Sequence, residues 1–139
     1  MKMLKLAVAL IAVAFATGGA LAADEAARKE LAPTGKLRAA INFGNSVLAQ
    51  RDASGQPVGI SPDLARELAR RLGVPVEFVI YEAAGKVFDA AKTGAWDIGF
   101  VAIEPVRAAE IEFTAPYVLI EGTYMVPTDS PLKTIADVD

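Results

Sequence analysis

Apolar, strand-like segments alternate with amphipathic helical patterns through the middle of the chain. In order, these segments cover residues 36–41, 61–72, 74–80, 83–93 and 97–103. The first, third and fifth are short and rich in apolar residues, which is typical of strands in a buried parallel sheet. The other two repeat apolar residues at helical spacing. Because right-handed crossovers pack helices against such strands, the pattern predicts an α/β fold with a mainly parallel sheet flanked by helices.

The first predicted helix has a clear start and end in the sequence. Ser61 is a capping residue type, Pro62 suits a first helical turn, and Asp63 favours the positive end of the helix dipole. Gly73 supplies the left-handed residue with which many helices end. The side chains that we expect to face the sheet are Leu64, Ala65, Leu68, Ala69 and Leu72.

Two loops follow predicted strands at the edge of the sheet where ligands of open α/β proteins bind. Residues 42–45 follow the first strand, and residues 102–107 follow the third. Residues 51–57, rich in Gly, Ser and Asp, predict a surface turn. A long apolar stretch at residues 118–126 predicts a further strand that leaves the domain.

The first 22 residues have the layout of a secretory signal peptide. Lys2 and Lys5 precede an unbroken apolar run at residues 6–16, and Ala20-Leu21-Ala22 offers a small-residue cleavage site. The run is shorter than the ~20 residues that a membrane span requires. We expect residues 1–22 to be removed on export to the periplasm, and residues 23–35 to form a charged, Ala-rich lead-in.

Composition narrows the chemistry and the partners. The chain has no Cys and no His, which excludes disulfides, thiol nucleophiles and Ser-His-Asp triads, and we expect no metal and no cofactor. Lys2 and Lys5 are the only charged residues before residue 23. The remainder therefore carries 12 Lys and Arg against 17 Asp and Glu, a net charge of −5. This acidic balance argues against nucleic acid as a partner.

A set of short motifs occurs in one order along the chain. They are Gly35-Lys-Leu-Arg38, Gly59-Ile-Ser-Pro-Asp-Leu-Ala65, Leu72-Gly73, Gly94-x-x-Asp97, Arg107 and Phe113-Thr-Ala-Pro-Tyr117. Each motif is weak alone, but the ordered set resembles the polar-amino-acid type of periplasmic solute-binding protein, family 3. Proteins of this family supply solutes to ABC importers. The resemblance covers nearly all of the chain after residue 22.

The resemblance implies one lobe of a periplasmic binding protein-like, two-lobed clamshell. Residues 36–117 would form the first solute-binding lobe, residues 118–126 a hinge strand, and residues 127–139 the start of a truncated second lobe. The implied function is capture of a small carboxylate-bearing, amino-acid-like solute in the cleft between the lobes. The implied partner is an ABC permease in the inner membrane, and no catalysis is expected.

The resemblance also implies ligand-binding residues. At the position of Arg107 the family usually has an Arg that clamps a ligand carboxylate, and a guanidinium matches a carboxylate as a planar fork. The alternative is a solvated Arg107 on a short helix at residues 105–110, paired with Glu110. Four further site positions depart from the family pattern. Ala102 replaces a Ser or Thr, Glu104 a Thr, Asn45 a stacking aromatic residue and Asn42 an acidic residue.

These departures indicate a ligand that is not a standard L-amino acid held in the usual way. Under one hypothesis, Arg107 takes an anionic group of the ligand and Glu104 takes an amine or a hydroxyl. Under the other, Glu104 neutralises Arg107 within the protein and never touches the ligand. The residues alone leave both hypotheses open.

Two other functions are compatible with the same sequence. A minority of proteins of this architecture resemble cyclohexadienyl dehydratases, which need an acid/base group over a prephenate-like substrate, and Glu104 could supply a carboxylate. The third function is the extracellular sensor domain of a receptor, which would continue into a transmembrane segment. We expect binding rather than catalysis, because Glu104 has no evident catalytic partner.

Overall fold

The computed structural model describes residues 25–138. The predicted signal peptide, residues 1–22, lies outside this range. Residues 25–31 form helix α1, which a turn connects to the first strand. Within the described range, no helix has the length and apolar character needed to cross a membrane.

The remaining elements follow the predicted alternation, with one addition. They are strands β1 (Leu37–Asn42), β2 (Gln50–Arg51) and β3 (Pro57–Val58), helix α2 (Ile60–Leu72), strand β4 (Val76–Tyr81), helix α3 (Ala84–Ala91), strand β5 (Ile98–Gly99), helix α4 (Pro105–Ala108) and a 3-10 helix (Ile135–Asp137). The addition is an antiparallel hairpin, in which β2 and β3 pair on either side of the predicted surface turn.

The main sheet has the predicted parallel arrangement. Its order is β4-β1-β5, and β1 runs parallel to both neighbours. Helices α2 and α3 both contact β1. Leu37 and Ile41 of β1 and Val87 of α3 are fully buried there. The α/β fold with a mainly parallel sheet flanked by helices is therefore confirmed.

Three of the predicted strands differ from the structure. β4 was expected to be buried on both faces, but it is half-buried throughout and lies at the outer position of the sheet. β5 is two residues long instead of covering residues 97–103, because its pairing with β1 ends at Gly99. Residues 118–126 form no strand and are exposed, since no strand of the described residues pairs with them.

The start of α2 also differs from the prediction that Ser61 caps it. The helix follows Gly59, whose φ of 115° favours glycine, and no side chain caps it. A Cβ on Gly59 would lie 2.8 Å from the carbonyl oxygen of Leu48. Ser61 is buried instead, with its hydroxyl oxygen 3.4 Å from that of Tyr117. A close backbone approach, and not a capping hydroxyl, therefore positions this helix.

The buried face of α2 is narrower than the leucine spacing predicts. Ala65 and Ala69 are buried, Leu64 is exposed, and the two other leucines are half-buried. The helix therefore meets the sheet through its small residues. Its end is as predicted, because Gly73 adopts the left-handed conformation with φ 66° and ψ 34°.

Arg38 and Asp97 join the amino ends of β1 and β5. The backbone N–H of Arg38 donates to Oδ2 of Asp97 at 2.8 Å. The guanidinium donates to both carboxylate oxygens, at 3.1 Å from Nε and 2.6 Å from Nη2. Nη1 also donates to the Gly94 carbonyl at 2.7 Å, and the Asp97 N–H returns a 2.8 Å bond to the Arg38 carbonyl. Two of the sequence motifs thus meet in one interaction.

The surroundings of this ion pair exclude most water. The Asp97 side chain is 5% exposed and the Arg38 side chain 22%. Hydrogen bonding to Asp97 raises the pKa of Arg38, so the guanidinium stays charged. A buried charge is costly unless it is paired, and each partner here satisfies the other.

Replacing Asp97 with Ala is expected to lower the melting temperature by more than about 5 °C, because a largely buried guanidinium, that of Arg38, loses its charged partner. The measurement is thermal unfolding followed by circular dichroism. Asp63→Ala is the matched control, since it removes an exposed Asp–Arg pair with Arg66 and should change the midpoint by less than about 2 °C. Equal shifts in the two variants would contradict the anchoring role.

Candidate functional site

The carboxyl ends of three neighbouring strands lie at one edge of the sheet. β1 ends at Asn42, β4 at Tyr81 and β5 at Gly99. The five residues that the sequence singled out lie at the end of β1, in the loops that follow β1 and β5, and in α4. The structure groups them into two local clusters, one after β1 and one after β5.

Asn42 and Asn45 use their side-chain oxygens to shape the loop after β1. Oδ1 of Asn42 accepts the N–H of Gly44 at 2.9 Å, and Oδ1 of Asn45 accepts the N–H of Val47 at 3.2 Å. The backbone carbonyl of Asn45 also accepts two N–H groups of the following turn at 3.1 Å. Such local bonds are common for Asn in turns. Both asparagines therefore shape the loop at the predicted edge.

Gly44 lets this loop approach the loop that follows β4. A Cβ at this position would lie 2.7 Å from the Glu82 carbonyl oxygen and 3.4 Å from Cα of Ala83. The N–H of Phe43 donates to the Tyr81 carbonyl at 2.9 Å, which extends the strand pairing into the loop. Both contacts are to backbone atoms, so a side chain could not be accommodated by a rotamer change alone.

Glu104 and Arg107 form an ion pair across the start of α4. Nη1 of Arg107 lies 3.2 Å from Oε1 of Glu104 and donates to the Ala102 carbonyl at 3.1 Å. The Arg107 side chain is 14% exposed, whereas that of Glu104 is 53% exposed. The alternative that pairs Arg107 with Glu110 is wrong, because the Glu110 carboxylate pairs with Lys92 at 2.9 Å. Ala102 contributes its backbone oxygen to this cluster.

A third cluster at the same edge was missed by sequence reasoning. The guanidinium carbon of Arg51 lies 4.3 Å from the centre of the Phe43 ring. Nη2 of Arg51 lies 2.6 Å from Oε1 of Glu82. The family resemblance assigns the position of its stacking aromatic residue to Asn45, and the aromatic residue of this cluster, Phe43, lies two residues earlier in the chain. An aromatic residue directly after a buried strand was the available signal.

The β2–β3 hairpin holds Arg51 in this position. Arg51 lies opposite Pro57 in the hairpin. Oδ1 of Asp52 accepts the N–H groups of Ser54 and Gln56, each at 2.8 Å, and the Ser54 hydroxyl at 2.7 Å. These hydrogen bonds lower the pKa of Asp52, so the carboxylate that organises the turn stays ionised at neutral pH.

Across residues 25–138, no group of three or more His, Cys, Asp or Glu side chains is placed to hold a metal ion. The chemistry that this edge offers is recognition by guanidinium, carboxylate and aromatic groups.

The family of the chain follows from comparison with known proteins. Residues 37–135 match the bacterial extracellular solute-binding proteins, family 3, and the chain belongs to this family. This confirms the resemblance inferred from the ordered motifs.

Solved structures show the same fold at moderate identity. An ancestral cationic amino acid solute-binding protein is 33% identical, with a TM-score of 0.58 over 65% of this chain and 40% of that chain. An ancestral cyclohexadienyl dehydratase is 31% identical, with a TM-score of 0.57 over 64% of this chain and 37% of that chain. The chain thus spans less than half the length of these two proteins.

A third structure matches over more of its own length. It is an arginine-bound mutant form of domain 1 from TmArgBP, the ArgBP of T. maritima. It is 28% identical, with a TM-score of 0.57 over 65% of this chain and 70% of that chain. These neighbours are periplasmic-binding-protein-like, in agreement with the predicted fold class.

Gly44→Ala is expected to destabilise the protein by about 1–3 kcal/mol, because the added methyl group would overlap a backbone oxygen. The free energy of unfolding is measured by urea titration. Gly85→Ala in α3 is the control, since a Cβ there meets nothing within 4 Å and alanine favours the helix. It should be neutral or stabilising. A Gly44→Ala protein as stable as Gly85→Ala would contradict the close approach of the two loops.

Proposed function

We propose that this chain provides the first lobe of the solute-binding component of an ABC importer. It captures a small carboxylate-bearing, amino-acid-like solute in the periplasm and catalyses no reaction. The observation that carries the proposal is the Arg107 guanidinium, which is largely buried and held by the Ala102 carbonyl and Glu104 at the carboxyl edge of the sheet.

Arg107 is positioned to recognise a carboxylate. Both of its contacts engage Nη1, and we assign the side-on fork of Nε and Nη2 to the ligand. A guanidinium held in one orientation loses less conformational entropy when it binds, and its paired donors match the spacing of carboxylate oxygens. A site that is largely closed to water strengthens the same interaction.

Glu104 completes a dipolar pair with Arg107. Its carboxylate holds Nη1 of Arg107 while its side chain is 53% exposed. The remaining carboxylate capacity is the acceptor that we assign to an amine or a hydroxyl of the ligand. The pair then binds a carboxylate through Arg107 and an amine or a hydroxyl through Glu104. An amino acid carries a carboxylate and an amine side by side.

The neighbouring structures support an amino-acid-like ligand. One is described as a cationic amino acid solute-binding protein, and another is arginine-bound. The arginine-bound structure is of a first domain, which supports ligand binding by a first lobe. We propose that residues 118–126 are the connection to a second lobe and that residues 127–139 begin it. Closure of two lobes would bury the ligand more fully.

An enzymatic function is the second candidate, because one neighbour is an ancestral cyclohexadienyl dehydratase. Proton transfer requires a group with access to the substrate, and the exposed carboxylate of Glu104 meets that condition. Its Oε1 already contacts Nη1 of Arg107 at 3.2 Å, an arrangement that suits ligand binding better than proton transfer. Binding is therefore the function that we put first.

Arg107→Ala is expected to weaken binding of carboxylate ligands by at least about tenfold, since charge-assisted hydrogen bonds are lost. Ligands are found by thermal-shift screening of amino acids and small carboxylates, because binding to the folded state raises the melting temperature. Affinities are then measured by calorimetry, and prephenate and each hit are assayed for turnover. Arg70→Ala, which alters an exposed Arg of α2, is the control. Full affinity in Arg107→Ala would refute the carboxylate clamp, and turnover would favour the dehydratase.

Glu104→Gln is expected to weaken ligands that carry an amine by at least about fivefold relative to their deamino analogues, because the amide cannot form the ionic contact. The measurement is the ratio of the two dissociation constants in each variant. Glu110→Gln, on the same segment but paired with Lys92, serves as the control. An equal change for both ligand types would show that Glu104 only neutralises Arg107 within the protein.

A further inference from the structure

Phe43, Arg51 and Glu82 form a stack at the carboxyl edge of the sheet, which we call the Arg51 stack. The Arg51 guanidinium carbon lies 4.3 Å from the ring centre of Phe43, and Nη2 lies 2.6 Å from Oε1 of Glu82. Three separate elements bring these residues together, namely the end of β1, the β2–β3 hairpin and the end of β4. The contact is therefore a product of the tertiary fold.

The backbones of Phe43 and Glu82 are placed independently of Arg51. Phe43 continues the pairing of β1 with β4 through its N–H bond to the Tyr81 carbonyl at 2.9 Å. Gly44 and Glu82 are in close backbone contact, because a Cβ at Gly44 would lie 2.7 Å from the Glu82 carbonyl oxygen. Removing the Arg51 side chain would therefore leave the backbones of Phe43 and Glu82 in place, and the ring and the carboxylate would be available to another cation.

An aromatic face beside a carboxylate is a receptor for a guanidinium or an ammonium group. The ring attracts a cation through its quadrupole, and the carboxylate adds a charge-assisted hydrogen bond. Arg51 makes both interactions, so it occupies the position that a ligand cation would take. Because Arg51 is tethered to the same lobe, its effective concentration at this position is on the order of millimolar or higher.

We propose that Phe43 and Glu82 form a cation subsite and that Arg51 fills it from within the chain. Arg51 thereby determines specificity by excluding arginine-like and lysine-like side chains from this edge. The specificity claim rests on the proposed function, since it requires a ligand beside Arg107, whereas the subsite itself does not. A chain that lacks Arg51 would accept the cationic side chains that the intact chain rejects.

Because the Arg51 stack is exposed, we expect an external cation to be able to displace Arg51. We also expect the loss of Arg51 to change the affinity for that cation only modestly. The Arg51 side chain is 51% exposed and that of Glu82 is 72% exposed. Exposed ion pairs and cation–π contacts each contribute little. Removing Arg51 should therefore raise the affinity of an external cation by about five- to tenfold rather than by orders of magnitude.

The first test uses methylguanidinium, which carries no carboxylate and so does not depend on Arg107. The ring signals of Phe43 are followed by NMR while methylguanidinium is added to the unmodified chain, to Arg51→Ala and to Arg51→Gln. Both variants should bind it at least about fivefold more tightly than the unmodified chain. Adding Glu82→Gln to either variant should remove the gain. Arg51→Gln keeps the Cβ, Cγ and Cδ atoms of the side chain and removes its charge, so the test remains available if Arg51→Ala does not fold.

Lys92→Ala is the matched control. Lys92 also stacks on a ring, with its Nζ 5.7 Å from the centre of Phe88, and it also pairs with a carboxylate, that of Glu110 at 2.9 Å. This second stack joins the end of α3 to the segment after α4 and does not involve the β2–β3 hairpin that carries Arg51. Its removal should leave the Phe43 signals and their response to methylguanidinium unchanged.

The second test compares arginine with citrulline. Citrulline has the same carboxylate and amine as arginine, but its side chain is uncharged. Loss of Arg51 should raise the preference for arginine over citrulline by about five- to tenfold, measured by calorimetry. Methylguanidinium binding at Phe43 without this change in preference would support the subsite and contradict the ligand placement beside Arg107. Folded Arg51 variants that bind methylguanidinium no better than the unmodified chain would overturn the proposal.

Discussion

The ion pair between Arg38 and Asp97 joins β1 to β5 on the side of the sheet away from the candidate site. A carboxylate that is 5% exposed is stable in the fold only if it is paired, and Arg38 supplies both its guanidinium and its backbone N–H. β5 pairs with β1 through two residues, so its register depends on this anchor. That register decides where the loop leading to Arg107 leaves the sheet.

The opposite edge of the sheet presents two guanidinium groups, and each is held by a carboxylate of the chain itself. Arg107 pairs with Glu104, and Arg51 pairs with Glu82. Each pair is close to neutral, so this edge offers directional hydrogen bonds and an aromatic face in place of a strong net field. Arg107 is the more buried of the two, at 14% against 51% exposed. Recognition at this edge should therefore depend on the geometry of the bound groups more than on long-range attraction.

Much of the fold could be predicted because its signals are local. The first strand, both crossover helices and the end of α2 follow from apolar spacing and from the conformational freedom of Gly73. The predictions that were wrong concern contacts between residues that are distant in sequence. Ser61 lies against Tyr117 and does not cap its helix, and residues 118–126 have the composition of a strand without a paired neighbour in the described chain. A strand requires hydrogen-bond partners, which composition does not supply.

In the candidate site, too, the features set by local sequence could be predicted, whereas the contacts between residues distant in sequence could not. By itself, the sequence determined the α/β alternation and the ordered motifs of the family. It also offered two carboxylates at i, i+3 spacing from Arg107, those of Glu104 and Glu110, and the structure pairs Arg107 with Glu104. Only the tertiary structure decided that Asn42 and Asn45 shape their own loop, and that Arg51 lies between Phe43 and Glu82. The physical reason is that helical spacing places neighbours at known separations, whereas the Arg51 stack exists only because parallel strands end at a common edge.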